Sequence, residues 1–204
     1  MTGRVVPMFT KNVTPGLVIN VPRKFEMTLL AVTAATLALW VLGAPAPLVG
    51  VLAAAAAVFH AVRLWKWHPR VTAKRPILWI LHASYAWMPI GFALLALAQW
   101  GLVGVSLAVH AFAIGVIGGL IIGMITRTAR GHTGRPLLAS RGEVAAYVLV
   151  LLAAVARVLL PALQPAWYAY AVEAAACLWA VAFAIYLVIY TPWLTQTRLD
   201  GKDG

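Results

Sequence analysis

Residues 76–126 read PILWILHASYAWMPIGFALLALAQWGLVGVSLAVHAFAIGVIGGLIIGMIT, and this stretch decides the fold class. Its 51 residues contain no Asp, Glu, Lys or Arg. Because about 20 predominantly apolar residues suffice for one helix to cross the hydrocarbon core of a bilayer, the stretch is long enough for two spans. We expect a tight turn at Trp100-Gly101 between them, which predicts transmembrane helices near 76–99 and 101–127.

Four more apolar segments flank this stretch and complete the predicted bundle. Upstream, the closely spaced Pro45 and Pro47 are expected to end one helix and to start the next. Downstream, Pro161 and Pro192 are expected to follow the ends of two further helices. The additional spans are predicted near 26–43, 47–66, 143–160 and 166–190. The predicted fold class is therefore all-α, with residues 1–204 forming a single transmembrane domain of six helices.

The composition also indicates a lipid environment. Hydrophobic residues make up 63% of the 204 residues and charged residues 10%, and the mean hydropathy is +0.91. An ordinary soluble domain needs more polar surface than this. The net charge of +11 would suit nucleic acid, but the basic residues are clustered between the apolar segments. Such clusters fit anionic lipid headgroups, so we expect a lipid bilayer as partner and no nucleic acid.

The basic residues predict the orientation of the bundle. All but one of the 16 Lys and Arg residues lie near the termini or near the connections between spans two and three and between spans four and five. The other connections contain none. Because basic connections face the cytoplasm, we expect both termini on that side, with residues 1–25 as a cytoplasmic arm and 191–204 as a cytoplasmic tail. The arm lacks the apolar core of a signal peptide, so the first span is expected to direct insertion.

The exceptional basic residue, Arg157, is expected near the outer end of the fifth span. Glu173 lies about seven residues into the sixth span from the same side, and a rise of about 1.5 Å per residue makes the two depths nearly equal. Since either charge alone is costly in lipid, the sequence predicts an ion pair between Arg157 and Glu173. Such a pair is either a clamp between helices or the gate or coupling site of a transporter.

Histidines are the residues best suited to bind a metal or haem. The chain has a single cysteine and no HExxH motif, and imidazole is a common ligand of haem iron and of copper. His60 and His82 each lie about six residues inside the cytoplasmic end of their helices, whereas His110 lies nearer mid-membrane. A shared site for His82 and His110 therefore requires a kink or an offset between helices. Each histidine is equally explained by a hydrogen bond between helices, and His68 is expected to be solvated in a loop.

Gly115, Gly119 and Gly123 repeat every four residues along the fourth span. Such a stripe of small residues allows the backbone of a second helix to approach closely. A flat cofactor is the alternative occupant of the same surface.

Several motifs together resemble one known family. Residues 3–10 read GRVVPMFT and resemble a GR-x-x-PFFT segment, and residues 81–87 read LHASYAW. His110 opens a glycine-rich helix, which is followed by GHTGRP at residues 131–136. The tail adds Tyr190-Thr191-Pro192 and RLDG at 198–201. This combination resembles the NnrS family, bacterial inner-membrane proteins that contain haem and copper and are associated with nitric oxide and nitrosative stress.

The resemblance implies a haem- and copper-binding protein of the bacterial inner membrane that handles nitric oxide by binding or by redox chemistry. It assigns three ligand candidates: His82, His110 and His132. It also places Tyr85 as a hydrogen-bonding neighbour of His82, while His60 is supported by its depth alone and ranks lower. The residue pattern adds arginines around His132 that suit haem propionates, although the positive-inside rule explains them equally well: Arg127, Arg130 and Arg135.

The resemblance is to the C-terminal half of longer family members. The candidate partners are therefore a separate N-terminal-half protein and a second copy of this chain, and whether the chain is complete or half of a longer protein stays open. Two other functions remain open at this point, a membrane transporter or half-transporter and a structural subunit of a larger membrane complex. The sequence assigns no catalytic residue, because no nucleophile is paired with a base and no nucleotide-binding loop is present.

Overall fold

A computed structural model describes residues 2–199 and 201, and within them the chain is helical with no β-strand. The α-helices are α1 (Thr2–Val13), α2 (Arg23–Val41), α3 (Ala46–Lys66), α4 (Pro76–Gln99), α5 (Val105–His110), α6 (Gly119–His132), α7 (Arg141–Leu163) and α8 (Tyr168–Leu194). A π-helical segment, Ala111–Gly118, joins α5 and α6 into one continuous helix. Six helices are long and apolar enough to cross a membrane, which confirms the predicted all-α membrane bundle.

The connections of the bundle lie at two ends. We call the end that carries residues 14–22, 67–75, 133–140 and 195–199 the basic end, and the end that carries 42–45, 100–104 and 164–167 the opposite end. An even number of spans brings both termini to the basic end. Its assignment to the cytoplasm stays a prediction from the positive-inside rule.

Helix boundaries differ from the predicted ones where local backbone chemistry decides them. The fourth span begins at Val105, because Gly101 adopts a positive φ of 72° in the preceding turn, and it continues to His132. α7 begins at Arg141 because Ser140 and Glu143 form a capping box, in which the Ser140 amide donates to the Glu143 carboxylate at 2.6 Å. Pro161 lies within the last turn of α7 and does not end it, since a proline there removes only one backbone hydrogen bond.

The N-terminal arm contains a helix that the sequence analysis did not predict. α1 is too short to cross a membrane and packs against α4 at the basic end. Val6 and Thr10 are its buried residues, while Lys11 and Arg4 are exposed. This amphipathic pattern is typical of a helix that lies on a bundle with its apolar face inward.

α4 is the central helix. It packs against α1, α3, α5, α6 and α7, whereas α2 packs mainly on α3 and α8 mainly on α7. In their most apolar windows, 56% of the α4 residues are buried but only 11% of those in α2 and in α8. The outer faces of α2 and α8 are therefore available to lipid or to another protein.

The glycine stripe of the fourth span packs on α4. A Cβ added to each glycine would come within 3.0 Å of an α4 side chain: Trp87 for Gly115, Ser84 for Gly119 and Leu81 for Gly123. Close helix packing therefore explains the stripe, and no space for a flat cofactor remains there. The contacts also fix the register of the two helices, because Ser84 lies level with Gly119 and Leu81 with Gly123.

Candidate functional site

His82 is a buried histidine with one unused ring nitrogen. The residue is 3% exposed, and its Nε2 lies 2.9 Å from the Thr10 hydroxyl, which itself donates to the Val6 carbonyl at 2.9 Å. Because the hydroxyl proton is committed to that carbonyl, the Nε2–H of His82 must donate to Thr10. Nδ1 is then unprotonated, and it is buried without a hydrogen-bond partner among the residues that the structure describes. The Nδ1 of His82 therefore has a free lone pair, and the bond to Thr10 on α1 fixes the orientation of the ring.

An apolar groove lies beside His82. It has a volume of about 570 Å³ and is lined by Leu64, Pro69, Arg70, Thr72, Ala73, Trp79, His82, Ala83 and Ala86. The small side chains of Ala83 and Ala86 leave one wall of the groove flat. Arg70 brings a positive charge to this lining. Its side chain is exposed, and its guanidinium carbon lies 5.7 Å from the centre of a Trp65 ring.

His60, in contrast, uses both ring nitrogens. Its Nε2 lies 3.0 Å from the Thr33 hydroxyl, which donates to the Leu29 carbonyl at 2.7 Å, so Nε2–H is the donor to Thr33. Its Nδ1 therefore accepts from the Tyr85 hydroxyl at 2.6 Å. Tyr85 was expected beside His82, but its hydroxyl points to His60 on α3 because α3 packs along that face of α4.

The Tyr85 hydroxyl also links His60 to a buried ion pair. Arg63 donates to Tyr85 at 3.3 Å through Nη1 and to the Glu26 carboxylate at 2.9 Å through Nε, with a second contact through Nη2. Gly3 packs directly on this guanidinium, where a Cβ would collide with it. The sequence analysis missed the pair, since Glu26 and Arg63 are 37 residues apart and only helix packing brings them together. The network holds α2, α3 and α4 together and gives His60 a structural explanation.

His110 also presents one free nitrogen. It is half-buried at the junction of α5 with the π-helical segment, and its Nδ1 lies 2.7 Å from the Ser106 carbonyl oxygen. Because a carbonyl only accepts, the proton is on Nδ1 and Nε2 is unprotonated. No residue in the described part of the chain bonds that nitrogen. π-Helical segments are frequent at functional sites.

The three histidines that the resemblance assigns do not share one centre. By the register of α4 with α6, His82 lies level with residues 121–122, so His110 lies roughly 15 Å away along the bundle axis. His132 is a similar distance away in the other direction and is exposed. Consistently, the described residues contain no group of three His, Cys, Asp or Glu side chains that could hold a metal.

The arginines expected around His132 have other neighbours. Arg130 binds Glu143, with Nε 2.7 Å from Oε1, and the Tyr190 hydroxyl donates to the same carboxylate. This network could not be predicted from the sequence, because Glu143 and Tyr190 reach Arg130 only through helix packing. The network joins α6, α7 and α8, so Arg130 has a structural explanation.

Arg127 and Arg135 instead stack on aromatic rings. The Arg127 guanidinium lies 3.9 Å from the centre of the Phe9 ring, and that of Arg135 lies 4.5 Å from the centre of a Trp193 ring. Arg127 is 9% exposed, while Arg135 is half-buried. The two side chains contact different helices, so they do not form one anion site with His132.

The predicted ion pair between Arg157 and Glu173 does not form. Arg157 is 5% exposed and donates from Nη2 to Ser106 at 3.2 Å and to the Tyr168 hydroxyl at 3.1 Å, while its Nη1 has no partner among the described residues. Glu173 is exposed on α8. The depths agree, but Glu173 follows Tyr168 by five residues and so lies about 140° around the helix axis from it. The transporter alternative loses the pair on which it depended.

A comparison with known protein families finds a match over nearly the whole chain. The family model described as NnrS protein matches residues 1–198, nearly the whole chain. No curated protein and no solved structure gives a significant match. The matched region includes α1 with its GRVVP motif, the helix headed by His110 and the GHTGRP connection. The chain belongs to the NnrS protein family.

Proposed function

We propose that this chain is a haem-binding protein of the bacterial inner membrane in which the Nδ1 of His82 binds the iron. The observation that supports the proposal is the buried, unpartnered Nδ1 of His82, whose opposite ring nitrogen is fixed by Thr10. Histidines that bind metals commonly have their other N–H held by a protein group, which sets the tautomer and the ring orientation. His60 has no free ring nitrogen to offer a metal, because both of its nitrogens are bonded.

The surroundings of His82 suit haem better than a bare metal ion. A single histidine suffices to hold haem iron, whereas a copper site needs several ligands. Apolar walls beside His82 fit a porphyrin and exclude water, and the guanidinium of Arg70 fits a propionate by charge-assisted hydrogen bonds. Bound haem would supply an iron that binds nitric oxide and changes oxidation state. The role in nitric oxide or nitrosative-stress handling follows from the resemblance to the family.

His110 is the proposed ligand of a separate copper centre. Its Nδ1–H is held by the Ser106 carbonyl, so its Nε2 is free to bind a metal. The described residues supply no second and third ligand nearby, and we propose that a partner chain or a second copy provides them. His132 is exposed and without a ring partner in the described part of the chain, and it has no role in this proposal.

An absorption spectrum of the purified full chain tests the haem centre. We expect a Soret band in the wild-type protein that shifts when nitric oxide is added, and we expect His82→Ala to lose it. His60→Ala is the matched control for a buried histidine and His68→Ala the control for an exposed one, and both should keep the band. If His82→Ala elutes at the volume of folded protein and keeps its full haem content, the assignment of His82 is contradicted.

Elemental analysis tests the copper centre. We expect His110→Ala to lower the copper content and to leave the haem content unchanged, because the two histidines lie about 15 Å apart. The measurement is made on protein extracted with its native partners retained. Unchanged copper in His110→Ala excludes this ligand.

A role as a subunit of a larger complex is the second candidate, and one observation favours it. Glu173 is exposed on α8, a membrane-spanning helix of whose most apolar window only 11% is buried, and contact of its carboxylate with lipid would be costly. We propose that another helix covers the face of α8 that carries Glu173. Cys177 lies one turn after Glu173 and is exposed, so oxidation in membranes tests the partner. A disulfide-linked dimer indicates a second copy, and an adduct of different mass indicates another chain.

A further inference from the structure

Arg127 is a buried cation at the basic end without a carboxylate partner in the described part of the chain. The other two buried arginines at this end each bind a glutamate, Arg63 with Glu26 and Arg130 with Glu143. Arg127 is 9% exposed, and its guanidinium stacks on the ring of Phe9. Stacking uses the face of the guanidinium and leaves its N–H edge free to donate.

A cavity of about 530 Å³ adjoins Arg127. Lys74 and Arg75 line it as well, and among the residues that the structure describes no acidic residue does. The remaining lining is apolar and consists of Val13, Pro76, Ile77, Leu78, Leu137, Leu138 and Ala139. Three positive charges beside apolar walls, with no negative charge among them, fit a ligand that is both anionic and partly apolar.

The first turn of α4 adds to the attraction for an anion. The cavity is lined by residues 75–78, at which this 24-residue helix begins. Pro76 has no backbone N–H and the amides of Leu78 and Trp79 donate to the Arg75 carbonyl, so the attraction comes mainly from the helix dipole, which is positive at this end. Phosphate groups bind such N-termini, particularly where arginine and lysine side chains add charge.

The depth of the cavity corresponds to the membrane interface. Arg127 lies five residues before the end of α6, or about 7 Å inside it. Leu137 and Leu138, in the connection that follows, are 41% and 74% exposed. Basic pockets between membrane helices at the cytoplasmic side are typical sites for anionic headgroups. We propose that this cavity binds the phosphate of an anionic phospholipid through Arg127, Lys74 and Arg75, with the acyl chains along Leu137 and Leu138.

This site is independent of the haem proposal. The cavity and the groove beside His82 have no lining residue in common. α1 contacts both residues, because Phe9 stacks on Arg127 and the next residue, Thr10, bonds His82, but the two proposals use different ligand-binding atoms. Failure of one proposal therefore leaves the other intact.

Native mass spectrometry and thermal unfolding of the full chain test the site. In detergent, added phosphatidylglycerol should remain bound to the wild type and raise its midpoint of thermal unfolding, whereas phosphatidylcholine should not. Arg127→Gln should weaken binding of phosphatidylglycerol at least about tenfold, as expected for loss of one charge-assisted contact. Arg141→Gln, which removes an exposed arginine at the same end, should leave it unchanged. Equal retention of the lipid by Arg127→Gln and the wild type overturns the proposal.

A second variant and other ligands identify the anion and keep the test valid if one variant does not fold. Lys74→Gln with Arg75→Gln changes two exposed side chains, and this double variant should also lose the preference for phosphatidylglycerol. If it and Arg127→Gln, both folded, keep that preference, the assignment is wrong. Inorganic phosphate that stabilises the wild type as much as the lipid does overturns the lipid identity. A loss of haem with unchanged lipid in Arg127→Gln shows that the anion is a haem carboxylate, and it overturns the proposal as well. His82→Ala should not alter lipid binding.

Discussion

The two ends of the bundle accommodate buried charge in different ways. At the basic end, Arg63 and Arg130 each bind a glutamate, and a tyrosine hydroxyl completes each network. At the opposite end, Arg157 donates to the hydroxyls of Ser106 and Tyr168 and lies over the Tyr168 ring, and its Nη1 is unpartnered in the described part of the chain. Apart from Arg127, the buried arginines of the basic end are therefore held by ion pairs, and that of the opposite end by an aromatic ring and by hydrogen bonds to uncharged hydroxyls.

The difference matters because each charge of a buried ion pair needs the other to offset its loss of water. Two buried charges offset the loss of water through their attraction, so removal of one leaves the other uncompensated. The network of Arg130 and Glu143 ties three helices, and that of Glu26 and Arg63 ties another three. Arg157 has no carboxylate partner in the described part of the chain, so its removal leaves no buried charge uncompensated. Substitutions at the two ends should thus differ in their effects on the free energy of unfolding.

The largest effect is expected from Glu143→Gln. Glu143 is 1% exposed, and its loss leaves Arg130 buried without a carboxylate and weakens the bond from Tyr190. The free energy of unfolding should fall by about 3 kcal/mol or more, the range for a broken buried pair. Unfolding in mixed micelles of a mild detergent and dodecyl sulfate measures it. The control is Arg141→Gln, an exposed site on the same helix where a change within about 0.5 kcal/mol is expected. Equal effects of the two substitutions would contradict the role of the pair.

A smaller effect is expected from Glu26→Gln. The Glu26 side chain is 26% exposed, so water screens its pair with Arg63 more than it screens the pair of Glu143 with Arg130. The free energy of unfolding should fall by about 1–2 kcal/mol, between the values for exposed and buried pairs. The same micelle titration measures it. A loss as large as that of Glu143→Gln would show that solvent access does not separate the two pairs.

The fold could be predicted from the sequence because membrane spans are a local property. The absence of charge over residues 76–126 requires two helices whatever their neighbours are, and the clustered basic residues mark the connections. The spacing of Gly115, Gly119 and Gly123 likewise indicated close packing, although not that α4 is the helix involved. α1 was not predicted because it is too short and too polar for a membrane span, although its amphipathic pattern is present in the sequence.

The contacts of the candidate site could not be predicted in the same way. Equal depth suggested an ion pair between Arg157 and Glu173, but rotation about the helix axis decides which side chains meet, and depth carries no information about rotation. His60 and His82 match in depth as well. They differ at Nδ1, because the Tyr85 hydroxyl reaches that atom in His60, whereas in His82 it has no partner among the described residues. Such differences depend on tertiary packing and not on residue type or spacing.

Tyr85→Phe is expected to have a still smaller effect. The hydroxyl donates to His60 and accepts from Arg63 inside a residue that is 1% exposed. Its removal leaves the His60 Nδ1 without a partner and should lower the free energy of unfolding by about 1 kcal/mol. The matched control at the opposite end is Tyr168→Phe, where a half-exposed hydroxyl is lost and about half that change is expected. A reversed order of the two variants would remove the contrast between the ends.

The smallest loss is expected from Arg157→Met. The substitution removes a buried positive charge that has no carboxylate partner among the described residues, and methionine fills much of the same space. The hydrogen bonds to Ser106 and Tyr168 are lost, but no opposite charge is left uncompensated. The free energy of unfolding should therefore stay within about 1 kcal/mol of the wild type or rise, as when buried charges are replaced by packed apolar groups. Arg130→Met is the matched control, because it leaves Glu143 buried without its cation and should cost about 3 kcal/mol or more. If the two methionine variants lose the same stability, the unpaired charge of Arg157 and the paired charge of Arg130 contribute alike, and the two ends of the bundle do not differ.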